Sequence, residues 1–454
     1  MAFHCINPAT GETVQRTDRW EEDDIEAALT SVAAATPAWA ERAPPKRAEL
    51  LGRAAEVLRG RVDKLSRLIT LEMGKLAREA RAEVEKCAWV CEFYAEHGPG
   101  FLADEPIESD AGKSYVAYQP LGTVLGIMPW NFPFWQVFRF AAPALAAGNT
   151  CILKHASNVP LCAEAIEDVF HDAGLPPGVF RSFMVGSEQV ERLIADPRVH
   201  AVTLTGSEVA GRAVAAQAGA ALKKTVLELG GSDAFIVLED ADLERAVSNG
   251  VAARFMNAGQ SCIAAKRFIV AEPVADAFLE RFVSAVEALV PGDPAEEGTT
   301  LAPMVRADQR ERLHRQVTDS IALGARAVTG CEALERPGFY YAPSILDRVS
   351  QGMPAYEEEL FGPVAVVLYA EDEDDAVRLA NDTRFGLGAS VWTGDVRRGE
   401  RLARRLRCGG VFVNGIVKSD PRLPFGGVAH SGYGRELSHH GIHEFVNAKT
   451  IWIK

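Results

Sequence analysis

Apolar and polar positions along this chain follow two different periods, and the change from one to the other divides it. From Glu21 to about Gly98 the apolar residues recur at helical spacing. Asp24 caps a predicted helix carrying Ile25, Leu29 and Val32. Pro44-Pro45 separates it from a long helix through Leu50, Leu51, Val57 and Leu58 that continues past Leu65, Leu68 and Ile69. A further helix holds Val84, Ala88, Cys91 and Phe93. Residues 3–14 read as an extended start with turns at Asn7-Pro8 and Thr10-Gly11, and 114–118 alternate as a strand does.

From residue 122 to 238 strands and helices take turns. Strands are predicted at 124–128, 151–154, 179–184, 201–204 and 225–229, with helices over 134–147 and 160–173. This alternation predicts a doubly wound parallel sheet, which binds ligands at the carboxyl ends of its strands. A second alternating block spans about 232 to 435. Its predicted strands lie at 234–238, 268–270, 364–368, 389–392 and 410–414, and its helices near 242–256, 274–290, 305–323, 373–381 and 397–406. The chain closes on a strand at 448–453 with no helix after it. Such an edge needs cover, from residues 114–118 or from another subunit.

A length of 454 residues implies two or three domains, and 48% hydrophobic with 24% charged residues is the balance of a globular protein in water. The net charge of −14 argues against a nucleic-acid partner, which would need a basic face. No apolar run is long enough to span a membrane, and the first residues show neither the charged nor the apolar part of a secretory signal. The eight cysteines are scattered, with no CxxC pair, which suits a reducing cytoplasm. Cys87 and Cys91 share a helix face without a histidine beside them and read as packing, not as a metal site.

Four stretches carry candidate chemistry. Asn257-Ala258-Gly259-Gln260-Ser261-Cys262 places one cysteine in a small-residue turn between a helix and a buried strand: either an accessible nucleophile or a small buried hydrophobe. Pro129-Trp130-Asn131-Phe132-Pro133 holds Asn131 at a strand end, as an oxyanion donor or as the cap of a rigid turn. Glu228, between Leu227 and Leu229, is a general base raised by burial or a capping or ion-paired residue. Thr205-Gly206-Ser207 forms a strand-to-helix turn able to carry phosphate on helix amides, and Lys154 could meet a ribose or phosphate or simply be solvated.

Together these motifs resemble the aldehyde dehydrogenase superfamily over essentially the whole chain. Glu359-Leu360-Phe361-Gly362-Pro363 and Pro424-Phe425-Gly426-Gly427 follow in the family's order and spacing. The resemblance implies an α/β fold. A Rossmann-type NAD(P)-binding domain would take residues 1–102 and 121–231, and an α/β catalytic domain 232–435. A β oligomerisation extension, 103–120 with 436–454, would make the terminal strand intersubunit in a homodimer or homotetramer. It also implies Cys262 as nucleophile, Asn131 as oxyanion donor and Glu228 as base. Lys154 and Ser157 would border the adenosine ribose, and Gly206 and Ser207 a phosphate. Trp130 would lie near the cofactor, Glu359 on the nicotinamide ribose and Phe361 against the ring. The cofactor would be NADP or NAD, the partner a small aldehyde, and no metal is required.

Within the superfamily the chain is similar to the shorter bacterial succinate-semialdehyde dehydrogenases, through Trp135-Gln136-Val137 with Arg139, Lys154-His155-Ala156 and Cys408 to Gly415. Arg139 follows Asn131 by eight residues on the next helix and suits a substrate carboxylate, or a structural ion pair. Ser419 matches the position where relatives use a hydroxyl for the same group, and Lys418 adjoins it. Three positions depart from relatives. Met256 stands where some place arginine, Ala264 where some place a second, redox-active cysteine, and Ala429-His430 where many carry lysine. A cofactor-independent thiol hydrolase and a catalytically silent binding protein are the readings from other classes.

Overall fold

The computed structural model describes residues 2–454; Met1, included in the expected first domain, lies outside them. Two sheets organise the chain. The first has six strands, in the order Gly432–Tyr433, Lys224–Glu228, Ala201–Thr205, Thr123–Met128, Thr150–His155 and Phe180–Ser182, parallel except for the antiparallel edge at Gly432–Tyr433. That edge comes from within the 232–435 range expected for the second block. The chain starts at Thr123–Met128 and winds outward first to one side and then to the other. The order therefore reverses at that strand, and a crevice opens beyond its carboxyl end.

The helix that follows this strand, Trp135–Ala147, is buried along its whole length. Its Phe134, Phe138 and Phe140 neighbourhood is closed to water, each ring contributing about 1.5–3 kcal/mol by burial. The helix can approach so closely because residue 126 is glycine; a Cβ there would lie 2.2 Å from the Phe140 ring. Helices Pro44–Gly60, Val62–Met73 and Ala77–Phe101 pack over the same side. The sequence reading joined the first two into one; the chain breaks at Arg61 and again at Gly74, whose φ of 78° ends the second helix.

The second sheet has seven strands, in the order Arg326–Thr329, Ser344–Asp347, Val364–Ala370, Ala265–Ala271, Asp233–Val237, Gly388–Trp392 and Gly410–Val413. Two of these, Arg326–Thr329 and Ser344–Asp347, were not expected. The first is a short edge with little apolar patterning, and the second is four buried residues with no alternation to read. The terminal strand Val446–Ile453 pairs antiparallel with Lys113–Pro120 of its own chain, Val446 opposite Pro120 through Ile453 opposite Lys113. Of the two covers expected, residues 114–118 thus supply one side, and among the described residues the other side of the terminal strand has no partner. Among the described residues no helix is long and apolar enough to cross a membrane.

Candidate active site

Three consecutive left-handed residues aim the cysteine. Helix Leu243–Phe255 ends, and Asn257, Ala258 and Gly259 take φ values of 56°, 52° and 72° before the chain reaches Cys262. Two of them carry a Cβ, so the turn stores strain that its surroundings must hold. Arg254, fully buried, donates to the carbonyls of Gly259 and Leu360, each at 3.0 Å, and to that of Gly362. Gly259 has no room for a side chain, since a Cβ would sit 2.3 Å from the Gly362 carbonyl oxygen. Asn257 Nδ2 donates to the Asn131 carbonyl at 2.8 Å, and Asn131 Nδ2 donates to the Gln260 carbonyl at 3.1 Å. The proline-flanked turn and the cysteine turn are thereby fastened together.

Cys262 and Asn131 open onto one cavity of about 910 Å³, with Trp130, Gly206, Ser207, Glu359 and Phe361 on its walls. The first turn of helix Glu208–Ala220 also lines this cavity. Ser207 caps it, accepting from the Ala210 N–H at 3.3 Å, and the positive end of the helix faces the cavity. Trp130 and Phe361 meet edge to face at 5.7 Å. A cavity of this size whose wall carries both a helix N-terminus and a thiol has room for a dinucleotide with its phosphates at the helix amides. The sequence reading missed several wall residues: Gln136, Gln309, Arg312, Arg384 and His430. They lie on helices and loops whose sequence gives no sign of a cleft.

Lys266 was missed too, although a Lys-Arg pair opening an otherwise apolar strand was a visible signal. It is buried, and its Nζ donates to the carbonyls of Ser261 at 2.7 Å and Cys262 at 2.6 Å. It also faces Glu359 Oε1 at 3.3 Å. Glu359 Oε1 in turn accepts from the Gly231 N–H at 3.1 Å. Burial pushes the Cys262 thiol up to about 12, while Lys266 and then Arg139 pull it down. The resting thiol is therefore protonated and needs its proton taken before it can attack.

Glu228 ends its strand without a hydrogen-bond partner for either carboxylate oxygen. It packs against Gly426, where a Cβ would lie 2.6 Å from Oε1, and it does not line the cavity. Burial, and then the neighbouring Glu436, hold its carboxyl well above the usual range, so its resting form is the neutral acid. Lys154 and Ser157 stand at and just past the end of strand Thr150–His155, off the wall of this cavity. Lys154 is half-buried and Ser157 exposed. His155, between them, accepts from the Ala156 N–H at Nδ1 and faces the Pro133 carbonyl at 2.9 Å with Nε2. Burial pushes it down to about 4, so it is neutral and contributes no charge there.

Arg139 stands differently from its expected position. Its guanidinium is paired with Glu436, donates to Thr205 Oγ1 at 3.3 Å, and lies 4.5 Å from the centre of the Phe425 ring. It is 2% exposed and off the cavity wall, so its charge is already taken and a direct clamp on a ligand is corrected to an ion pair behind the site. Ser419 is also off the wall. Its Oγ accepts from Trp135 Nε1 at 2.9 Å and from Lys86 Nζ at 2.8 Å. Trp135 begins the helix behind Asn131, and its neighbour Gln136 lines the cavity.

Two mostly parallel sheets, with a strained cysteine turn and a helix N-terminus on the wall of one cavity, frame an NAD(P)-dependent oxidoreductase. The chain belongs to the aldehyde dehydrogenase family, whose model matches residues 1–451. It is 50% identical over 453 residues to the probable succinate-semialdehyde dehydrogenase [NADP(+)] of Synechocystis, covering both chains fully. It is 52% identical to the Escherichia coli succinate semialdehyde dehydrogenase [NAD(P)+] Sad, over 98% of this chain and 97% of that one. The solved succinic semialdehyde dehydrogenase of Streptococcus pyogenes, in complex with NADP+, superposes over the whole of both chains with a TM-score of 0.98 at 37% identity.

Proposed function

We propose that this protein oxidises succinate semialdehyde to succinate with NADP or NAD. The observation that carries the reading is a cysteine turn and a helix N-terminus on the wall of one cavity. The names of its full-length relatives supply the aldehyde and the cofactors.

The chemistry follows from the residues at the turn. The Cys262 thiol first loses its proton to solvent in the cavity, and the thiolate then adds to the aldehyde carbon, giving a thiohemiacetal whose oxygen carries the negative charge. Asn131 Nδ2 and the Cys262 N–H would be the donors for that oxygen. Asn131 spends its donor on the Gln260 carbonyl at 3.1 Å in the resting state and would turn it toward the oxyanion. The nicotinamide, when bound, accepts the hydride and leaves a thioester on Cys262. Water would then cleave the thioester with Glu228 as base: its side chain leaves Gly426 for the cavity, gives up its own proton to solvent there, and takes the proton of the attacking water as the Cys262 sulfur leaves as thiolate. Lys266 holds the Ser261 and Cys262 carbonyls and so fixes the sulfur's direction.

Gly206, Ser207 and the helix amides would receive the pyrophosphate, with Trp130, Glu359 and Phe361 around the nicotinamide end and Lys154 and Ser157 around the adenosine ribose. Ser419 would receive the substrate carboxylate, with Arg139 adding positive potential from its pair with Glu436. The first sheet and its helices, with residues 103–120 and 436–454 excepted, would form the cofactor domain, and the second sheet the catalytic domain. The open edge of Val446–Ile453 would join a second subunit, in a homodimer or homotetramer working in the cytoplasm.

The test is formation of reduced nicotinamide on adding succinate semialdehyde, compared across a panel of aldehydes with each cofactor. A higher kcat/KM for another aldehyde class would overturn the substrate, and no cofactor reduction with any aldehyde would overturn the reaction.

A further inference from the structure

Lys86 leaves helix Ala77–Phe101 and ends against the residues that carry Ser419. Its Nζ donates to Ser419 Oγ at 2.8 Å and sits 4.2 Å from the centre of the Trp135 ring. Trp135 Nε1 donates to the same oxygen at 2.9 Å. Ser419 Oγ thus accepts twice, and its own hydroxyl hydrogen finds no acceptor among the described residues. Lys86 has two further N–H donors. Serine hydroxyl and ammonium together present donors with nothing to receive them.

The nearby acids are committed elsewhere. Glu83, one turn before Lys86, pairs with Lys75 and accepts from the backbone N–H groups of Phe134 at 2.9 Å and Trp135 at 3.0 Å. Asp420 holds Arg422 through contacts of 2.9 and 2.7 Å. Glu436 holds Arg139. Among the described residues no carboxylate comes within ion-pair distance of Lys86. An ammonium largely removed from water and without a counter-ion is unfavourable. Burial, with the charge of Arg139 behind it, pushes Lys86 down to about 8. An anion bound at this point would relieve that cost.

The geometry points to Lys86 as the cation that, with Ser419, receives the carboxylate of the aldehyde substrate and so sets specificity for it. The inference rests on the proposed oxidation of a carboxylated aldehyde. It assigns the direct ionic contact to Lys86, since the Arg139 guanidinium is already held by Glu436. The position fits, because Trp135, under the ammonium, starts the helix that follows Asn131, and Gln136 beside it faces the cavity that contains Cys262. Ammonium and hydroxyl would bind the carboxylate through charge-assisted hydrogen bonds.

The experiment compares kcat/KM for succinate semialdehyde and for butanal, its analogue without the carboxylate, in the wild type and in Lys86→Met, Lys86→Gln and Lys86→Arg. Both neutral variants should lose on the order of 10–100-fold on succinate semialdehyde, mostly in KM, as a lost charge-assisted contact would. Butanal should change by less than about threefold, which also reports intact folding. Lys86→Arg should recover most of the loss. A wild type that favours succinate semialdehyde beside neutral variants that keep the preference, or that lose both substrates equally, overturns the role of Lys86 and leaves the enzyme's substrate standing. A wild type that does not favour succinate semialdehyde over butanal overturns both.

Discussion

Arg139 and Glu436 form a closed ion pair behind the cavity, with side chains 2% and 3% exposed. Arg139 reaches it from the helix after Asn131, and Glu436 from the segment just past the Gly432–Tyr433 strand. Removing one partner leaves the other charge buried beside Glu228, which already lacks a partner. Arg139→Ala should therefore cost about 3–5 kcal/mol of stability, a large part of what a folded protein has. Thermal or urea unfolding checks this. An unchanged midpoint would mean that the pair is not structural and that Arg139 is free to serve the substrate.

Cys262→Ala should abolish aldehyde oxidation while leaving cofactor binding intact, as followed by quenching of tryptophan fluorescence. Lys266 is the cation that does most to pull the thiol down against burial. Lys266→Met should therefore raise it further and slow alkylation of Cys262 by iodoacetamide. Below the thiol's own value, the alkylation rate of either protein should climb about tenfold per pH unit, because only the thiolate reacts.

Glu228→Gln should slow thioester hydrolysis more than hydride transfer, so that a burst of reduced cofactor appears or grows in pre-steady-state traces. The same variant carries a stability prediction. The folded state holds the Glu228 proton well above the usual carboxylate range, whereas the unfolded chain releases it near about 4.3. Between those values the folded form binds more protons, so the wild type loses stability as pH rises. Glutamine does not titrate. Glu228→Gln should thus melt above the wild type at pH 8, with the gap closing toward pH 4. A constant gap across that range would contradict a proton held on Glu228.

Asn131→Ala removes the side-chain donor at the cysteine turn but not the Asn131 carbonyl that receives Asn257 Nδ2. The turn should persist, and kcat should fall by about 10²–10³, the usual loss for one oxyanion donor. Retention of Cys262 alkylation would show that the thiol is still presented. Retention of full kcat would remove Asn131 from the reaction.

Ser157 stands exposed beside the half-buried Lys154, with neutral His155 between them adding no charge. A carboxylate at that position would accept from a ribose 2′-OH and repel a 2′-phosphate. Ser157→Glu should lower kcat/KM for NADP selectively and spare NAD. Equal losses on both cofactors would move Ser157 away from the ribose.

Hydrophobic periodicity alone determined much of this protein. Strand–helix alternation located the parallel strands of both sheets to within a few residues, Ser344–Asp347 excepted, because a buried parallel strand is a short continuous apolar run. The residue types at 129–133 and 257–262 carried their own signal, since proline-fixed and small-residue turns are local features of the chain. The short strands Arg326–Thr329 and Ser344–Asp347 carried none, being defined by their neighbours in the sheet. What only the tertiary structure decided is which charges face which. In sequence Arg139 suits either a substrate carboxylate or a structural ion pair, and only the tertiary structure chooses the pair, because Glu436 arrives from a distant segment of the chain. Lys86 looks like an ordinary helix-surface lysine, yet Ser419 and Trp135 close over it and leave it without a counter-ion. Local pattern fixes where the backbone goes, whereas pairing and burial of charge depend on contacts between segments distant in the chain, which no local pattern encodes.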